Sequence, residues 1–154
     1  VRKLIHMLVD IVAKGGNCLL NIGPSPEGDW DEEAYSRLTG IGEWMRVNQE
    51  AIYGTSPIAP YKDSKVYLTQ KNGSVYAIYL SDENENQPPS KIWMSNFQPN
   101  SESKLTMLGV NGELKWEKIG NGFLVQIPES IQKNPPCQHA WVIKITFMKN
   151  MIKM

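Results

Sequence analysis

Apolar residues recur along the early part of the chain with two different periods. Val1, Leu4, Ile5, Leu8, Ile11 and Val12 return at helical spacing, the pattern that lines one face of an α-helix. Gly15 and Gly16 follow at once, and glycine there supplies the left-handed residue that ends a helix. Residues 18–22, Cys-Leu-Leu-Asn-Ile, are short and almost wholly apolar, as expected of a strand covered on both faces of a parallel sheet. The run breaks into a polar, glycine-rich loop, "GPSPEGDW" (23–30), and a second helix is predicted to open near it. Asp29 followed three residues on by Glu32 resembles a capping box, and Asp31, Glu32 and Glu33 suit the positive end of a helix dipole. Tyr35, Leu38, Ile41, Met45 and Trp44 are its expected buried stripe. A helix, a parallel-type strand and a helix are part of a βα repeat; one strand alone has no sheet to join.

Beyond a Pro-bearing connector, "YGTSPIAPY" (53–61), the period shortens. The segments "KVYLTQ", "SVYAIYL", "KIWMSN", "KLTMLG", "LKWEKI", "FLVQI" and "AWVIKITF" are short and rich in β-branched and aromatic residues. Three Asn-Gly pairs, at 72–73, 111–112 and 121–122, stand between or beside them. Asn-Gly is a strong hairpin signal because both residues tolerate the positive φ of a type I′ turn. About seven strands at this spacing predict an antiparallel β-sandwich. In "AWVIKITF", Trp141, Ile143, Ile145 and Phe147 share one face, while Lys144 and Thr146 interrupt the other. The polar stretch 81–90, "SDENENQPPS", is expected to be an exposed excursion. The expected division is residues 1–55, then 56–150, then a tail at 151–154.

Composition narrows the classes without choosing one. The chain has 154 residues, with 16 basic and 16 acidic side chains. A balanced charge gives no general attraction to nucleic acid or anionic membrane. No apolar stretch approaches the roughly 18–20 residues that span a bilayer. Arg2 and Lys3 precede an apolar run as in a signal peptide, but Asp10 and Lys14 interrupt it and no small-residue cleavage site follows. The chain opens without an initiator Met, so it is expected to be a piece of something longer. Two cysteines, Cys18 and Cys137, offer neither a disulfide framework nor a metal-ligand spacing.

The motifs "LVDIVAKGGNCLLNIGPSPEGDW" and "RLTGIGEWMRVNQEAIYGT" together resemble the closing segment of the catalytic barrel of α-L-fucosidases, glycoside hydrolase family 29. That family has a helix ending in "KGGN", an eighth strand "LLLNIGP", a "DG" loop and then "IGEWLKVNGEAIYGT". The later "LTMLGVNGELKWEKIGNGFLVQIP" and "AWVIKI" look like its C-terminal β-sandwich. The resemblance implies the last helix–strand–helix of a (β/α)8-like barrel over 1–55 and a sandwich over 56–150. It implies a retaining glycosidase without metal or cofactor, acting on fucosylated glycans in the periplasm, outside the cell or in lysosomes. The partner it implies within the protein is the remainder of the barrel. Barrel active sites lie at the C-terminal ends of the strands, so "NIGPSPEGDW" would run into an active-face loop. Two departures stand out: Cys18 replaces an aliphatic residue, and "GDWDEEAY" replaces "GTIPPEY", so the second helix lacks its proline.

Retaining glycosidases work with two carboxyl groups roughly 5–5.5 Å apart. The family's nucleophile belongs to a middle barrel strand, upstream of Val1, and no carboxylate here matches a catalytic motif; no catalytic residue is expected in this chain. Glu27, Asp29 and Asp31 cluster after the strand, where helix capping and a solvated loop account for them. Glu43 and Glu50 are expected on the exposed face of the second helix, and Asp10 on the polar side of the first. Asn21 is either a donor to a sugar or catalytic group or a structural amide. Trp30 either stacks on a sugar ring or anchors the helix start. His6 and His139 have no nucleophile or metal-ligand partner at a useful spacing. Trp93, Trp116 and Trp141 fall on predicted strands, where core filling competes with a lectin-like binding face. That face would make the chain a non-catalytic carbohydrate-binding or interaction module, the alternative to the enzyme. Asn72-Gly73-Ser74 matches an N-glycosylation acceptor as well as a hairpin turn.

Overall fold

The computed structural model describes residues 1–147; the expected tail at 151–154 and positions 148–150 of the expected sandwich lie outside them. The first helix, α1 (Arg2–Ala13), ends as its two glycines predict. Gly15 takes φ 85°, its N–H donates to the Val12 carbonyl, and the Gly16 N–H donates to that of Ile11. This is the paired closure of a Schellman motif. Ile5, Val9 and Ala13 form the deepest line of α1, a register one step round from the expected stripe.

The second helix, α2 (Glu32–Asn48), runs into a 3₁₀ turn at Gln49–Ala51. Its N-cap is Asp31, not Asp29: the Asp31 carboxylate accepts the Ala34 N–H at 2.7 Å. The expected capping box does not form: the cap sits two residues later, and its third helical position is Ala34, which has no polar side chain to return the bond. Trp44 and Asn48 are its buried residues, while Tyr35, expected inside, is half exposed.

Between the helices, residues 18–22 form no strand. A strand exists through its ladder, and no neighbouring backbone among the described residues pairs with this one. The expected helix–strand–helix is thus present as helix, unpaired apolar segment and helix, with Leu19 94% exposed.

The remainder is two antiparallel sheets. The larger contains β1 (Ser56–Asp63), β2 (Val66–Lys71), β3 (Ser74–Leu80), β8 (Ala140–Thr146) and β5 (Lys104–Met107), in the order β1-β2-β3-β8-β5. The smaller is β4 (Lys91–Met94), β7 (Gly122–Gln126) and β6 (Trp116–Ile119), in the order β4-β7-β6. All seven expected strand segments are found, and β1 is an eighth that begins within the expected connector and runs past its end. Pro57 and Pro60 hide it, but proline is tolerated on an edge strand, and β1 is an edge whose pairing with β2 shifts between Pro57 and Lys62. A short helix, α3 (Glu129–Lys133), was also unexpected.

Only one Asn-Gly pair forms the expected turn. Asn72 and Gly73, with φ 50° and 74°, join β2 to β3. Between β6 and β7 the turn residues are Gly120 and Asn121, because Gly120 carries the positive φ and Gly122 has already paired with Ile119. Asn111-Gly112 lies where the chain passes from one sheet to the other.

The larger sheet is covered on both faces. Val75, Ala77 and Tyr79 of β3, with Trp141, Ile143 and Ile145 of β8, pack towards the smaller sheet against Ile92, Met94, Phe123 and Val125. The alternate residues Tyr76, Ile78, Leu80, Ala140 and Val142 pack on Ile5, Val9, Ala13 and Trp44 of the helices. Two-sided burial explains why β3 reads as an unbroken apolar run. The Trp44 indole N–H donates to the Ala140 carbonyl at 2.9 Å and fixes α2 to β8.

Candidate functional site

The loop singled out from sequence is built by local hydrogen bonding. Ser25 donates its N–H to the Asp29 carbonyl at 2.6 Å, and Gly28 donates to the Ser25 carbonyl at 3.0 Å. The chain then reaches Asp31, which caps α2. A groove of about 250 Å³ runs between α1, the unpaired segment and α2, lined in part by Leu4, Leu20, Asn21, Asp31, Arg37 and Ile41. Asn21 is exposed there. Trp30 is 40% exposed outside that lining and tilts against Tyr35, ring centroids 5.7 Å apart. Sequence reasoning passed over Arg37, whose pairing with Glu33 could have been read from their i,i+4 spacing.

Among the acids, Asp31 is engaged as a cap and Asp10 pairs with Lys14 at 2.6 Å. Glu50 corrects expectation. The helix ends at Asn48, and the following 3₁₀ turn swings Glu50 onto the sheet, where it accepts from Tyr76 Oη at 2.8 Å and from Lys144. Burial opposes its charge, but the bonds from Lys144 and Tyr76 hold the carboxyl below its ordinary range. Burial and the Glu50 contact push Tyr76 upward. Asp63 accepts from the Ser95 N–H, the Ser95 hydroxyl and the Asn96 N–H. These bonds outweigh burial and lower its pKa. Both acids fasten the fold.

The loop at 81–90 is exposed along much of its length but tied down. Lys65 pairs with Asp82 and Glu85, Tyr79 donates to Glu85, and Arg2 donates to the Glu83 carbonyl. His6 Nε2 lies 3.0 Å from the His139 carbonyl, and burial followed by the Arg2 charge lowers the His139 pKa. Cys137 is a half-buried thiol whose pKa burial pushes up to about 11, so it is no nucleophile near neutral pH. Both cysteines are free, and no group of three or more metal-binding side chains occurs among the described residues. No helix among them is long and apolar enough to cross a membrane.

The three strand tryptophans form no row. Trp141 is fully buried and donates to the Cys137 carbonyl at 3.0 Å. Trp116 packs edge-on against Phe123, centroids 6.4 Å apart, and only Trp93 faces solvent. Core filling accounts for two of the three rings, and the lectin-like face loses its physical basis.

The fold is a helix-backed antiparallel β-sandwich with an unpaired apolar segment between its two long helices. Residues 1–50 match the alpha-L-fucosidase family model and residues 61–146 match that of the alpha-L-fucosidase C-terminal domain. The chain belongs to the α-L-fucosidase family. It is 38% identical to an alpha-L-fucosidase of Branchiostoma floridae, over 92% of this chain and 32% of that protein. It is 35% identical to the tissue alpha-L-fucosidase of Homo sapiens, over 96% of this chain and again 32% of the other. The structure is similar to that of Thermotoga maritima alpha-fucosidase in complex with a mechanism-based inhibitor: TM-score 0.80 and 27% identity, covering 95% of this chain and 34% of that one. The chain therefore spans about a third of the length of the relatives it matches.

Proposed function

We propose that this chain is the C-terminal part of a retaining α-L-fucosidase that hydrolyses terminal α-L-fucosyl linkages in glycans. In this reading residues 1–55 are the closing helix–strand–helix of the catalytic barrel and 56–150 the accessory sandwich. The two family matches, in that order on either side of the junction, support the division. One observation carries the reading: the apolar segment 18–22 has no backbone partner among the described residues and turns Leu19 to solvent, which suits a barrel strand without its neighbours. Pairing with the remaining strands satisfies its backbone and covers Leu19 and Leu20. The partner of this surface is the rest of the barrel.

The segment's C-terminal end then points Asn21 towards the active face, with Trp30 in the following loop; both belong to the substrate-proximal side. The nucleophile and the acid/base come from the other strands, so the chain by itself is inactive. Fucosylated glycans are displayed outside the cytoplasm, and we assign the enzyme to the periplasm, the cell exterior or the lysosome. Hydrolysis of a nitrophenyl α-L-fucoside tests the assignment. The chain alone should release no nitrophenol, and the same chain joined to its barrel should. Turnover by residues 1–154 alone would refute the claim that the catalytic carboxylates lie elsewhere.

A further inference from the structure

We infer that Asn72 is an N-linked glycan acceptor. This rests on the extracytoplasmic assignment above and adds a modification to it. Among the asparagines of the chain, only Asn72 is followed two positions on by Ser or Thr without an intervening Pro. That triplet, Asn72-Gly73-Ser74, is what oligosaccharide transfer requires. In the transfer the Asn72 amide nitrogen bonds to the first sugar's anomeric carbon and loses a proton. The lipid pyrophosphate of a lipid-linked oligosaccharide donor leaves.

The fold leaves room for the product. Asn72 and Gly73 are both exposed at the tip of the β2–β3 hairpin. Nothing lies within 4 Å of the position a side chain would take at Gly73. The positive φ of both residues keeps the turn tight, so the Asn72 side chain projects from the end of the sheet without forming part of a packed surface. Ser74, which the transferase must read, is buried in the first pair of the ladder opposite Lys71. Transfer therefore precedes closure of the hairpin, and the folded protein keeps only the asparagine on show.

Position also suits an enzyme. Lys71, beside Asn72, donates to the Tyr53 carbonyl at 2.7 Å, which places the hairpin tip just past the C-terminal end of α2. The proposed substrate-side loop lies before the other end of that helix, at Asp31. α2 has 17 residues, a length of about 25 Å at 1.5 Å per residue. A glycan on Asn72 stands a helix length from the substrate loop and leaves it open.

Protein recovered from its own cells decides the matter. The peptide containing Asn72 is weighed before and after treatment with a peptide N-glycanase, and fucoside hydrolysis is measured on the same sample. The expected result is an oligosaccharide on Asn72 that the glycanase removes, leaving Asp. A bare Asn72 overturns the assignment; if that sample hydrolyses the fucoside, the enzyme reading survives the loss. A glycosylated sample without turnover sinks the enzyme reading and leaves the acceptor standing. Expressed through a eukaryotic secretory pathway, Asn72→Gln and Ser74→Ala should each abolish the added mass completely. Ser74→Ala preserves the Asn-Gly turn, so a glycan that persists in it refutes the triplet as acceptor.

Discussion

Two stretches of this chain have much the same composition and opposite fates. Residues 140–146 are a short apolar run, and so are residues 18–22. The first is β8, paired with β3 on one side and β5 on the other, with Trp141, Ile143 and Ile145 at 0% exposure. The second pairs with nothing among the described residues and shows Leu19 to solvent. Apolar character sets what a segment needs. Only partners decide whether the need is met.

Substitutions sharpen the contrast. Trp141→Ala should cost about 3–5 kcal/mol in denaturant unfolding, the usual range for removing a fully buried aromatic. Trp44→Phe keeps most of the helix–sheet packing but leaves the Ala140 carbonyl with only the weak Cys137 thiol donor, and should cost about 0.5–1.5 kcal/mol; an unchanged midpoint would mean that α2 is held by packing alone. Asp63→Asn removes the charge that three donors on the 95–96 backbone and Ser95 address, at about 1–2 kcal/mol near neutral pH. Its pH dependence has a definite sign. Asp63 and Glu50 have lowered pKa values in the folded state. Their stabilisation is complete above their unfolded values, roughly 3.9 and 4.3, and is lost as pH falls through the folded ones. Asp63→Asn should flatten the acid limb of a stability–pH curve; an unchanged limb would remove Asp63 from the account. Leu19→Ser should change the stability of this chain by no more than about 0.5 kcal/mol, while in a barrel-containing protein it should be clearly destabilising. Equal effects in both settings would break the comparison.

How far the sequence disclosed these fates differed by element. Strands β2 to β8 were readable because alternation and long apolar runs track one-sided and two-sided burial. β1 was not, because two prolines masked an edge whose ladder tolerates them. Residues 18–22 carry the strand pattern, but pattern records what a segment needs and not the neighbours that meet the need. Glu50 was misplaced because one 3₁₀ turn rotates a side chain from solvent onto the sheet, a change of geometry that no spacing rule registers. The expected box gave way to a simple cap two residues later because Asp29, Asp31 and the following acids offer competing caps in one short run. For the candidate loop, sequence supplied Asn21 and Trp30 but not the Trp30–Tyr35 contact, which depends on how the loop meets the helix.

The two prolines of β1 have an effect outside the molecule's own packing. A sheet edge is a template on which another chain can hydrogen-bond. Pro57 and Pro60 lack the N–H such a visitor must find, and the broken register between Pro57 and Lys62 spoils its alignment. The same residues that disguise β1 as a linker therefore blunt this edge of the larger sheet as a template for a second chain.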